Sequence, residues 1–329
     1  MKAQVITQFG DPSVFTTTDI TKPTLIPGHV LLRVLASSVN QVDCKIRSGA
    51  APAIAPAFPA VLHSDVVGVV EEIASDVTNF KIGDEVYACA GGVRGTFGAL
   101  AEFTLVDKHS LAFKPKKLSV PDTAALPLVS ITAWEALFIK AKLQAKQKIL
   151  IHGGLGGVGH IAVQLAKWAH ADVCTTVLSG NDFALAKSLG ANEVINAKEE
   201  SVEQYVQRLT NGKGFDVVFD TIGGPNLDRS LAAAKIDGVV VTTVARSTHD
   251  LTPMHDKSLS LHVVFMLNPL LTGNGRALHG DILRSVAKIV DEGKLKPLVD
   301  LNQFSFDQVS AAHTLLESGK ARGKVVLVK

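Results

Sequence analysis

Apolar positions recur in two rhythms along the chain, and the rhythm changes near residue 121. Before that point, short branched runs alternate with glycine, proline and aspartate: H-V-L-L-R-V-L (29–35), S-D-V-V-G-V-V-E-E-I (64–73), D-E-V-Y-A (84–88) and L-A-E-F-T-L-V (100–106). These read as strands of a compact, barrel-like domain. The segment 49–62, G-A-A-P-A-I-A-P-A-F-P-A-V-L, has three prolines and no charge, which excludes a regular helix. It reads either as an apolar loop over a pocket or as a buried linker.

Beyond residue 121, helix and strand patterns alternate. Strands are expected at 148–152, 172–178, 216–220 and 238–244, with helices at 132–140, 158–169, 182–189, 201–210 and 225–234. This βαβ order predicts an α/β domain with a doubly wound parallel sheet. A long helix at 276–292 follows, then a strand-like K-P-L-V-D. A further helix opens on the capping-box pair Ser305 and Gln308, and a last strand closes the chain, G-K-V-V-L-V-K.

Composition narrows the function. The 33 basic and 31 acidic residues leave a net charge of +2 with no basic block, which argues against a nucleic-acid partner. No apolar run approaches the roughly 18 residues of a membrane span. The three cysteines, Cys44, Cys89 and Cys174, are isolated, so neither a disulfide framework nor a zinc knot is expected. A cytoplasmic protein is the default reading.

The strongest motif is Gly154-Leu155-Gly156-Gly157-Val158-Gly159, a G-x-G-x-x-G between a strand and a helix. In that context the glycines allow a tight turn, close approach of a pyrophosphate and close helix–strand packing, and the helix start faces the phosphate charge. Gly154, Gly156, Gly157, Val158 and Gly159 are therefore candidate dinucleotide contacts. NAD-binding folds place a carboxylate at the end of the second strand, on the ribose 2′-OH. Here that end reads T-T-V-L-S-G-N, with no carboxylate before Asp182. Ser179 and Asn181 can donate to a 2′-phosphate, so NADPH is expected over NADH.

Several blocks together resemble the medium-chain dehydrogenase/reductase superfamily, in its zinc-independent, zeta-crystallin-like quinone oxidoreductase branch. They are H-G-G-L-G-G-V-G-H-I-A-V-Q-L-A-K (152–167), S-S-V-N-Q-V-D-C-K-I-R-S-G (37–49), P-L-V-S-I-T-A-W-E-A-L (127–137), F-D-V-V-F-D-T-I-G-G (215–224) and L-L-E-S-G-K-A-R-G-K-V-V-L (315–327). The resemblance implies a GroES-like catalytic domain over 1–122, completed by 267–329, and a Rossmann NADP-binding domain over 123–266. It also implies an active site in the cleft between them and a homodimer or homotetramer.

Zinc-dependent relatives bind the metal through Cys, His and Cys. The matching positions here are Asn40, Ser64 and Leu128, and an amide, a hydroxyl and an alkyl chain do not make a zinc site. No metal is expected. His63, where the family usually has glycine, reads as a substituted loop residue or a polar group at the pocket edge. A His63-Ser64-Asp65 triad is rejected because strand neighbours alternate faces; Asp65 reads as structural.

The chemistry left is hydride delivery to an electron-poor acceptor. Quinones fit, as do carbonyl-conjugated alkenes such as enals, enones and acrylates. A non-catalytic NADPH-binding or RNA-binding module is the alternative of another class. By resemblance, Asn40 orients substrate or nicotinamide, with a structural amide as the plainer reading, and Asp43 ties the same loop. Thr132 lies near the nicotinamide ribose, with helix capping as its alternative. Phe265 and Met266 offer backbone to the carboxamide, and Arg322 and Lys324 reach the cofactor. A tyrosine common in the branch after R-S-G is replaced by Ala50-Ala51, which favours an open, apolar pocket.

Overall fold

The computed structural model describes all 329 residues, and the chain divides into two compact units, Met1–Ile131 with Leu267–Lys329 (unit 1) and Thr132–Met266 (unit 2). The first segment carries β1 (Lys2–Ile6), β2 (Thr16–Asp19), β3 (His29–Val39), α1 (Gln41–Arg47), β4 (Ala60–Val61), β5 (Asp65–Ile73), β6 (Glu85–Cys89), β7 (Phe103–Asp107), β8 (Ala112–Phe113) and α2 (Val120–Ala124). Helix α3 (Pro127–Trp134) and a π-helical turn (Glu135–Lys140) lead on to β9 (Lys148–Ile151), α4 (Gly159–Trp168), β10 (Asp172–Val177), α5 (Phe183–Ser188) and β11 (Glu193–Asn196). Then come α6 (Val202–Thr210), β12 (Phe215–Asp220), α7 (Pro225–Ala233), β13 (Ala234–Thr242), α8 (Thr252–Asp256) and β14 (Ser260–Val263). The chain returns to unit 1 with α9 (Asn268–Thr272), α10 (Arg276–Asp291), β15 (Val299–Ser305), α11 (Val309–Glu317) and β16 (Lys324–Val328).

Unit 1 is organised around β3, which pairs antiparallel with β5, β7 and β16. Its apolar positions Val30, Leu32 and Val34 are wholly buried against Val66, Val86 and Leu111. Strand β16, from the far end of the sequence, pairs Val325 with Val39. That register sets Lys324 beside the start of α1. Helix α10 packs on β6 and β8, and the Tyr87 hydroxyl of β6 donates to Leu283 O at 2.6 Å.

The sequence reading draws the first unit's edge at 122. In the structure α2 packs on β3, β5 and β16, and the unit runs on to Ile131. Segment 49–62 is not one continuous loop. It holds a 3-10 turn, Pro52–Ile54, and its end pairs with β1 as β4.

Unit 2 is a six-stranded, all-parallel sheet in the order β11-β10-β9-β12-β13-β14. The chain winds outward from β9 one way and from β12 the other. Such a sheet has its ligand crevice where that reversal occurs, outside the carboxyl ends of the strands. Both faces are covered, so strand residues such as Ile149, Leu150, Ile151, Val218 and Phe219 are fully buried.

Candidate functional site

Unit 2 presents the glycine loop between β9 and α4. A Cβ on Gly159 would lie 2.0 Å from Gly153 O, and one on Gly154 would lie 2.0 Å from Thr175 Oγ1. Both positions must be glycine for the protein's own packing. Gly156 differs: its Cβ would meet nothing closer than Gly153 O at 3.2 Å. The middle glycine is therefore demanded less strictly by the fold than the other two, since a shift of a few tenths of an ångström would relieve the contact, and it suits close approach of an outside group. Thr176 ties the loop to β10, with its Oγ1 accepting from Gly153 N at 2.9 Å and its O from Gly154 N at 3.0 Å. The amides of Gly157 and Val158, just ahead of α4, donate to no group of the chain. These features fit a diphosphate.

Ser179 follows β10 and accepts from Asn181 N at 3.3 Å; Asn181 is exposed. Phe265 is 37% exposed, and Met266 is buried, just beyond β14. In a parallel sheet these ends share one edge, so the loop, Ser179, Asn181, Phe265 and Met266 are gathered at the carboxyl side of unit 2. Thr132 is buried in α3. The sequence reading missed His152, buried under the loop with no partner for Nε2. Burial lowers its pKa to about 4, against the opposing pull of Asp220.

Unit 1 gathers a second constellation where β3 turns into α1. The Asp65 carboxylate is its hub. Oδ1 accepts from Leu128 N at 2.7 Å; Oδ2 accepts from Asn40 Nδ2 at 2.8 Å and Lys324 Nζ at 3.1 Å, with Ser38 Oγ at 2.7 Å. Lys324 Nζ also donates to Val39 O at 2.9 Å and to Asn40 Oδ1. Asp43 caps the start of α1, accepting from Asn40 N at 2.7 Å. Burial, reinforced by the nearby Asp65 charge and opposed by that hydrogen bond and by Lys324, raises the Asp43 pKa to about 7.

Lys324, expected to reach the cofactor, turns its side chain inward: it is 3% exposed and its three donors are spent inside unit 1. Arg322 is exposed, and its backbone N–H bonds Asp300 at 2.9 Å. A lysine inside the apolar run K-V-V-L-V was the available signal for a buried partner.

Of the two readings of His63, the loop residue in glycine's place holds and the pocket edge does not: it lies between β4 and β5 in the left-handed region at φ 69°, and it is wholly buried. Its Nε2 lies 2.9 Å from His313 Nε2, and its Nδ1 lies 3.2 Å from Ser37 Oγ. Arg47 Nε donates to His313 Nδ1 at 3.3 Å, and Ser37 Oγ donates to Asp65 O at 2.6 Å. Arginine can only donate, which fixes the tautomers: His313 Nε2–H donates to His63 Nε2, and His63 Nδ1–H to Ser37. Burial holds both histidines neutral. His63 falls well below its ordinary value, with His313 contributing; His313 falls to about 3, with Arg47 contributing.

The positions that match the zinc ligands of relatives thus meet around Asp65 as an amide, a hydroxyl-bearing neighbour and a backbone N–H. No group of three or more His, Cys, Asp or Glu side chains converges as a metal site. This donor set does not fit zinc.

Residues 26–116 match the alcohol dehydrogenase GroES-like domain, and residues 189–327 match a domain described as zinc-binding dehydrogenase. A 2-methylene-furan-3-one reductase of Solanum lycopersicum is 35% identical, across 99% of this chain and 79% of its own length. An NADPH-dependent alkenal/one oxidoreductase of Arabidopsis thaliana, chloroplastic, is 34% identical over the same shares. A human quinone oxidoreductase is 28% identical, across 100% of this chain and 98% of its own. The solved structure of an alcohol dehydrogenase superfamily protein from Novosphingobium aromaticivorans superposes with TM-score 0.95 at 38% identity, covering 100% of both chains. The chain belongs to the medium-chain dehydrogenase/reductase superfamily, within its quinone oxidoreductase family. Unit 1 is its GroES-like domain and unit 2 its Rossmann domain.

Proposed function

We propose that the protein is a metal-free, NADPH-dependent oxidoreductase that reduces quinones, with unit 2 binding the nucleotide and unit 1 the acceptor. The observation that carries this is the network around Asp65: where relatives hold zinc, this chain has a buried ammonium, carboxylate and amide. Bound NADPH supplies the hydride. The free amides of Gly157 and Val158, at the start of α4, hold its diphosphate. Ser179 and Asn181 hydrogen-bond a 2′-phosphate without a carboxylate to repel it. Asn40, fixed by its neighbours, orients the acceptor or the nicotinamide. A quinone needs no strong Lewis acid, and water supplies the closing proton.

A second reading, reduction of a C=C bond conjugated to a carbonyl, is favoured by the names of the relatives at 35% and 34% identity. An acceptor panel of quinones, enals, enones and acrylates, run with NADPH and with NADH, separates the two by product. NADPH binding without turnover on any acceptor leaves only a binding module.

No helix is long and apolar enough to cross a membrane. Three free, buried cysteines suit a reducing compartment such as the cytoplasm. Strand β14 leaves one edge of the unit 2 sheet unpaired, with Val263 46% exposed, which suits pairing with a second copy in a homodimer or homotetramer.

A further inference from the structure

We propose that Lys324 is the positioning residue of the reduction, holding the Asn40 amide in the single orientation that serves the acceptor. The inference rests on the metal-free reductase reading and gives the positioning of the amide to a side chain from the last strand. Lys324 Nζ bonds three acceptors from three elements: Val39 O at the end of β3, Asn40 Oδ1 at the head of α1, and Asp65 Oδ2 at the start of β5. With every N–H used, it touches neither substrate nor cofactor.

Its effect on Asn40 follows from charge. The amide oxygen faces the ammonium, and the amide nitrogen donates to the carboxylate at 2.8 Å. Flipping the amide would turn N–H groups toward the ammonium and oxygen toward the carboxylate. Both contacts would be repulsive, at a site where Asn40 is 5% exposed and water screens little. Remove the ammonium, and only the Asp65 bond opposes the flip. Asp65 and Asp43 are then also left together without a cation.

The test uses the full-length protein, with steady-state kinetics on the best acceptor of the panel and NADPH titrated by fluorescence. Lys324→Met should lose about 10- to 100-fold in kcat, within the range for misplaced substrate-positioning groups. Its NADPH affinity should stay within about twofold, since the side chain makes no cofactor contact. Lys324→Arg, which keeps the charge, should recover part of kcat. Because a lone buried carboxylate can unfold a protein, the double variant Lys324→Met/Asp65→Asn, which removes both charges, should show the same loss of kcat while folded.

Unchanged kcat in either folded variant overturns the proposal. So does a fall in NADPH affinity with kcat intact, which would return Lys324 to the cofactor. Wild-type protein that turns over no acceptor sinks the reductase reading itself, a different failure from an active wild type matched by its variants.

Discussion

Acid should loosen unit 1 through the buried pair His63 and His313. Both are wholly buried and hydrogen-bonded as neutral rings, and both have folded pKa values below the ordinary 6.5. The unfolded chain therefore takes up protons that the folded chain refuses, so stability falls as pH drops through 6.5. At about pH 5, a histidine that titrates normally when unfolded and stays neutral when folded costs about 2 kcal/mol, so the pair costs about 4 kcal/mol.

His63→Asn removes one of the two titrations. Asparagine tolerates positive φ, and its amide can still donate and accept. The variant should lose about 2 kcal/mol less than wild type between about pH 7.5 and pH 5. Asp43 acts in the opposite sense. With a folded pKa of about 7 against an ordinary 3.8, it adds stability as pH falls through 7, but equally in both proteins. Urea unfolding followed by far-ultraviolet circular dichroism at the two pH values measures the difference. Parallel losses in wild type and variant would refute the neutral histidine relay.

Two glycines of one loop should behave differently. Gly156→Ala should fold normally and lose NADPH affinity at least about tenfold, the price of blocking a close phosphate approach, whereas Gly159→Ala should also lower the melting temperature, because its Cβ would sit 2.0 Å from Gly153 O. Ser179→Asp should move the cofactor preference toward NADH, read as the ratio of kcat/KM values; an unchanged ratio would show that the 2′-phosphate lies elsewhere. Asn40→Ala should depress turnover while leaving NADPH affinity nearly intact. It should cost about 1–3 kcal/mol in stability, because Lys324 and Asp65 each lose a partner. Equal turnover would remove Asn40 from the mechanism.

Unit 2 was legible because its buried strands read as apolar runs and its glycine fingerprint sits between strand and helix. The strands missed there, β11 and β14, are four residues each and carry polar side chains: E-V-I-N and the edge strand S-L-H-V. In unit 1, β1, β2, β4 and β8 were passed over because they are short or, like β2, exposed throughout. Around the site, sequence reading reached Asn40, Asp43 and Asp65, which lie close together along the chain. It could not pair His63 with His313, 250 residues away, or Asn40 with Lys324, 284 away. The second pair depends on the β3–β16 register and the first on the packing of α11, and a single apolar strand or helix does not announce its partner.

The central claim, hydride transfer to a conjugated acceptor without a metal ion, is tested most directly by one measurement. NADPH oxidation with a quinone and an enone is followed on protein stripped with a chelator and assayed for residual metal. The account predicts full turnover with substoichiometric metal. Activity lost on stripping and restored by zinc would contradict it.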